Sequence, residues 1–203
     1  MDLLQKRHRI LQAAHRCYLK PKGFSLRGLR SESHSPPLQR CLVVHSQPSN
    51  TTEHVDFDLL ITIAHDQYRP NARHGVRPGL GLHDEALLSL SLCRMADKGA
   101  AYWSLADTRD DDVVEAAVHR AVENYAAPIF DRTRTVEGVC DLILELCEVR
   151  AYKPRSWALD RLGERHAALD AIKAAFDSAP NENARRIAAE WLATFDGNRS
   201  APA

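Results

Sequence analysis

Two imidazoles and a carboxylate, His45, His54 and Asp56, stand close together in the chain. Imidazole nitrogens and carboxylate oxygens are ordinary ligands of divalent transition metals, which can activate a water molecule for hydrolysis. The three converge only if the segment folds back as a hairpin turning between Ser49 and Asn50. In that register His45 opposes His54, Val43 opposes Asp56 and Cys41 opposes Asp58, and opposed side chains lie about 4.5–5.5 Å apart. A one-residue slip removes the pairing. The competing expectation is a plain solvated sheet face, which the same alternation predicts, so no metal and no other cofactor is assigned.

The second grouping is Arg69, Arg73, His74 and Arg77, set among Pro70, Gly75, Pro78, Gly79 and Gly81. Guanidinium forks on glycine-flanked backbone suit a phosphate, a carboxylate or an acidic protein partner. Residues 66–82 show no periodicity, and a loop of that length within a compact domain is often functional. Gly79-Leu80-Gly81 is no dinucleotide fingerprint, because the third glycine and the strand–turn–helix setting are missing. His65-Asp66 and His83-Asp84 match the ligand pair of metal-dependent phosphohydrolases, but they fall at strand or loop ends instead of inside a helical site. Glu115 and His119 are spaced i, i+4, a common helix-surface pair. There is no G-x-S-x-G, P-loop or H-E-x-x-H.

The elements that must position these side chains follow from hydrophobic periodicity. Val55, Phe57, Leu59, Ile61 and Ile63 alternate with polar residues, the pattern of a half-buried strand. Leu38 to His45 is a second β-rich run, and 47–52 carries turn chemistry, so residues 38–64 form an antiparallel hairpin. Upstream, Leu3, Leu4, Arg7, Ile10, Leu11, Ala14, Cys17 and Tyr18 mark one helix face, stopped by Pro21 and Gly23. Phe24, Leu26 and Leu29 begin a weaker strand-like stretch. Leu87 to Met95 and Ala101 to Leu105 read as further strands, with Trp103 facing the core. Asp107 or Thr108 caps a helix with Asp110–Asp112 in its first turn, ended by Pro128. Further helices are expected over 136–149, 156–178 and 181–195, the last capped by Asn181.

This pattern defines an α+β protein: an N-terminal helix on an antiparallel sheet of about four or five strands, followed by a helical C-terminal half. Residues 1–150 form the α+β domain, 151–197 a helical hairpin packed on it, and 198–203 a loose tail. Lys plus Arg and Asp plus Glu are equal at 27 each. Without a basic excess, nucleic acid is a disfavoured partner. The five cysteines are scattered and odd in number, which suits reduced thiols serving as small core hydrophobes. The opening residues hold no apolar signal core, and no run of 18 apolar residues occurs, so the expected location is cytoplasmic, with no membrane span.

Leu19-Lys20-Pro21-Lys22-Gly23-Phe24 closing the first helix, Tyr102-Trp103, and Asn124-Tyr125-Ala126-Ala127-Pro128-Ile129-Phe130 closing a later one resemble the DUF4304 family of uncharacterised bacterial proteins. The resemblance covers about residues 3–145. It implies the fold and leaves activity open. The expectation for function is a non-enzymatic interaction protein that binds a protein partner through the sheet face or the arginine segment, with an immunity or anti-toxin-like role within that class. The alternative is a metal-assisted hydrolase using His45, His54 and Asp56.

Overall fold

In this computed structural model the described residues are 2–68, 86–106, 111–147 and 151–197. The chain divides into two compact units, one holding residues up to Gln67 and the sequence through Asp131, the other holding Tyr68 and the residues from Arg132 onward. The helix over 136–146, placed with the sheet by a sequence boundary at 150, groups instead with the later helices. No described helix is long and apolar enough to cross a membrane.

The first unit opens with α1 (Leu3–Ala14), whose Asp2 carboxylate accepts from the Leu4 N–H at 3.2 Å. Its buried face is Leu3, Arg7, Ile10, Leu11 and Ala14. The helix widens into a π-helical turn, His15–Leu19, and tightens into a 3₁₀ turn, Lys20–Lys22. Gly23 ends it at φ 83°, the left-handed conformation that glycine adopts without a Cβ clash.

Six antiparallel strands follow: β1 (Ser25–Arg27), β2 (Arg30–Ser35), β3 (Leu38–Ser46), β4 (His54–His65), β5 (Leu88–Ser91) and β6 (Trp103–Ala106). They run β1-β2-β3-β4, and β5 and β6 share the far edge of β4. Leu60–Ile63 pair with Ser91–Leu88, and His54–Phe57 pair with Ala106–Trp103. Val55, Phe57, Leu59, Ile61 and Ile63 are almost wholly buried, as alternation requires. β2 is a strand the sequence pattern does not announce, because Arg30–Ser35 is polar. It is held by ladders on both sides, with buried Ser31 between Leu26 and Leu42 and with Glu32 meeting Arg27 and Arg30. The cis Pro36-Pro37 pair turns it into β3.

Two expected elements differ. The strand expected over 87–95 stops at Ser91, whose hydroxyl accepts from the Arg94 N–H and opens the short α2 (Leu92–Ala96). Pro128 does not end its helix. α3 (Asp111–Ala121) passes into a π-helical turn, Val122–Ala126, and then α4 (Ala127–Arg132), with Pro128 in the first turn of α4. The helix is continuous there, and the π-helical turn directly before Pro128 is the irregularity that accommodates a ring without an N–H. The expected cap at Asp107 or Thr108 lies outside the described residues.

The second unit contains α5 (Val136–Leu146), α6 (Tyr152–Arg161), α7 (Arg165–Asp177) and α8 (Glu182–Gly197). The single helix expected over 156–178 is thus two. Gly163, at φ 84°, breaks it, and its N–H bonds back to the Asp160 carbonyl. Asn181 does cap α8, its Oδ1 accepting from the Ala184 N–H at 2.9 Å. The core is aromatic. Tyr68 stands edge-on to Trp157 and Trp191, and the Trp191 indole N–H donates to the buried Ser156 hydroxyl at 2.9 Å.

Candidate functional site

The polar face of the β3–β4 hairpin does not have the register that would gather two histidines. His45 opposes Asp58, not His54; Val43 opposes Leu60, and Cys41 opposes Thr62. The cause is the connection. Asn50 copies a strand partner: its Nδ2 donates to the Asp56 carbonyl and its Oδ1 accepts from the Asp56 N–H, both at 2.8 Å. Thr51 closes a second turn, its N–H bonding the His54 carbonyl and its hydroxyl accepting from His54 N–H. Residues 47–53 are thereby consumed as loop, and the first turn of β4 overshoots β3 to pair with β6.

This separates the expected ligands. His54 and Asp56 remain together, with His54 Nε2 2.9 Å from Asp56 Oδ1. His45 lies in the row of Asp58, four residues further along β4 than His54, roughly 13 Å at strand rise. Among the described residues no three His, Cys, Asp or Glu side chains converge as a metal-ligand group. His45 instead lies across from Tyr102, ring centroids 6.2 Å apart. Asp58 itself is 3% exposed, and its Oδ1 accepts from the Leu59 N–H at 2.7 Å and the Cys93 N–H at 2.9 Å. It is a tie between β4 and α2, not a free acid.

Ser104 is a site residue that sequence reasoning missed. Its hydroxyl donates to Asp56 Oδ1 at 2.5 Å, so one carboxylate oxygen meets both Ser104 and His54. Serine, aspartate and histidine are thus adjacent, but the order is wrong for nucleophilic catalysis. A triad needs the imidazole between serine and carboxylate, where it can take the serine proton. Here the carboxylate is in the middle, and it is far too weak a base to ionise an alcohol. The cluster orients a hydroxyl and presents a half-exposed imidazole.

The other candidates scatter. Arg69, Arg73, His74 and Arg77 lie outside the described residues, as do His83 and Asp84. His65 is buried at the end of β4 and accepts the Gln67 N–H through Nδ1. Glu115 and His119 reach the seam between α1 and α3, where Arg9 approaches Glu115 at 3.5 Å and the Tyr18 ring stands edge-on to His119. The 4.0 Å between His119 Nε2 and Glu115 is too long for a hydrogen bond. Burial, and then nearby Glu123, raise the Tyr18 pKa. Cys41, Cys93 and Cys140 are buried thiols, and burial pushes Cys93 and Cys140 up to about 11.

The second unit offers a concavity the sequence did not suggest. A groove of about 720 Å³ is lined by Tyr152, Ala174, Ala175, Ser178, Ala179, Pro180, Ala184 and Ile187. It runs along one flank of the α7–α8 hairpin. Its hydroxyls do little chemistry: Ser178 donates to the Ala174 carbonyl at 2.6 Å, and burial raises the Tyr152 pKa. A smaller groove of about 440 Å³ follows the opposite flank, between Lys173, Phe176 and Asp177 on α7 and Ala189, Leu192 and Ala193 on α8. The only signal in the sequence is repeated alanine, which is also the commonest choice for any helix.

The fold therefore defines a sheet-and-helix unit joined to a unit of sequential antiparallel helices. Comparison with known proteins finds no matching family model, no matching curated protein and no matching solved structure.

Proposed function

We propose that the chain is a non-enzymatic interaction module that takes a protein partner on the α7–α8 hairpin. The observation that carries this reading is the 720 Å³ groove, whose described walls are mostly small apolar side chains, with the hydroxyls of Tyr152 and Ser178 as their polar groups and no carboxylate, imidazole or cation among them. Ligand and active sites combine an apolar cavity with a few placed polar or charged groups. A groove that offers shape and mainly apolar surface suits the anchor side chains of an amphipathic helix. The arginine segment around Arg69, Arg73, His74 and Arg77 supplies positive charge for an acidic partner. The resemblance of residues 3–145 to DUF4304 belongs to the same reading, as does an immunity or anti-toxin-like role with a co-encoded toxin as the partner.

The test is affinity capture from the native host by wild type, by Ala184→Trp, which fills the groove, and by Arg73→Glu with Arg77→Glu. A partner held by wild type and lost from Ala184→Trp, at an unchanged melting temperature, supports the groove. Identical capture by both sinks it. The hydrolase alternative keeps one favouring observation, the His54–Asp56 contact. Its test is elemental analysis of tag-free protein, which must find about one equivalent of metal that His54→Ala loses.

A further inference from the structure

Arg7 is the most exceptional charge in the first unit. It lies on the buried face of α1 and is 8% exposed. Its Nη1 donates to the Ser46 hydroxyl at 2.5 Å, while its Nε is buried with no hydrogen-bond partner. No carboxylate among the described residues lies within ion-pair distance of it, whereas Arg9, Arg27, Arg30, Arg132, Arg165 and Arg186 each meet one. Arg40 is as deeply buried, but it donates to the Phe130 carbonyl and the Ser33 hydroxyl and lies over the Phe24 ring. Arg40 is thus a structural tie. Among the described residues, Arg7 is a cation without a counter-charge.

Burying an ion unpaired costs several kcal/mol, and most groups escape by neutralising. Arginine cannot escape in that way at any pH a protein tolerates, although desolvation lowers the Arg7 pKa. The chemistry around it is that of a receptor. Ser46 accepts from Arg7, so its own O–H proton remains to be given. Nη2 has no described acceptor and keeps an opening to solvent, whereas Nε is sealed among its neighbours. Ser46 is the last residue of β3 and shares one row of the sheet with Phe57 and Trp103. Ser46 and Trp103 are only partly buried, so the row ends at solvent.

We propose that Arg7 and Ser46 form an oxyanion-binding site at the α1 end of the sheet, taking a carboxylate or phosphate group. The inference is independent of the groove and of any partner that the groove takes.

The test is the melting temperature of the full chain titrated with inorganic phosphate and, separately, with acetate, against chloride at matched ionic strength. Wild type should rise saturably. Arg7→Met, which keeps the length of the side chain and removes the charge, should not rise, and in chloride it should melt at or above wild type. A response to phosphate alone assigns the site to phosphate, and a response to both admits carboxylates. An equal rise in Arg7→Met overturns the site, because phosphate stabilises proteins in general by exclusion from their surface. No rise in wild type overturns it as well. If Arg7→Met does not fold, Ser46→Ala decides: loss of one hydrogen bond to a charged ligand should weaken phosphate about tenfold, and an unchanged affinity overturns the site.

Discussion

Replacing Asp58 tests how the first unit is held together. Its Oδ1 alone accepts from both Leu59 N–H and Cys93 N–H, in a place 3% exposed. Asp58→Ala leaves two buried donors without an acceptor, each costing about 1–3 kcal/mol. With partial relaxation the sum is about 3 kcal/mol, or a melting temperature lower by about 6–12 °C for a chain of this size. Asp58→Asn keeps an oxygen where both bonds converge and should cost about 1 kcal/mol or less. Calorimetry on the three proteins measures the totals, and amide exchange at Leu59 and Cys93 locates them. If Asp58→Ala and Asp58→Asn destabilise equally, the carboxylate is not acting as the acceptor described, and the reasoning fails.

Asn50→Ala removes both bonds to the Asp56 backbone and should cost about 1–2 kcal/mol, read as a lower urea midpoint with faster exchange at Asp56. In the second unit, Ser156→Ala and Trp191→Phe should couple by about 1 kcal/mol in a double-mutant cycle, because Ser156→Ala strands the indole N–H, whereas Trp191→Phe leaves the Ser156 hydroxyl its bond to the Lys153 carbonyl; strict additivity would refute the bond. Iodoacetamide mass spectrometry should label exposed Cys17 first and leave Cys41, Cys93 and Cys140 intact until denaturant is added. Since folding raises Cys93 and Cys140 to about 11, the native state holds those protons more tightly than the unfolded chain. Their contribution to stability is therefore complete below about pH 9 and declines as pH rises towards 11, and alkaline melts of Cys93→Ala should show a shallower decline.

Several elements were legible because one strong signal determined them. Val55 to Ile63 alternate too regularly to be anything but a strand, and Asn181 had one plausible use. The failures share a cause: a local pattern settled by a distant or single residue. The hairpin register turns on one amide, Asn50, bonding a backbone six residues on, and turn composition cannot reveal it. The sequence on either side of Gly163 is equally good helix, so the break rests on one residue's freedom at positive φ. β2 carries no apolar pattern because pairing on both sides holds it in place. Of the proposed site residues, His54 and Asp56 were found through their types, whereas Ser104 and the alanines of the groove have none of the chemical distinctiveness that draws notice. Arg7 was read as part of an apolar stripe, since periodicity assigns it to the buried face and says nothing of its missing counter-charge.

The shared edge of β4 has a consequence for how the sheet comes apart. β6 covers residues 54–57 and β5 covers 60–63, so the two strands never touch the same stretch. Between them stands Asp58, bonding α2 on the β5 side. Such an edge can open in two independent steps: release of β6 frees the His54 end, and release of β5 with α2 frees the other. Native-state hydrogen exchange would then sort β4 amides into two groups with different opening energies on one continuous strand. A ligand or partner that engages only one end would stabilise half of that strand and leave the other half as it was.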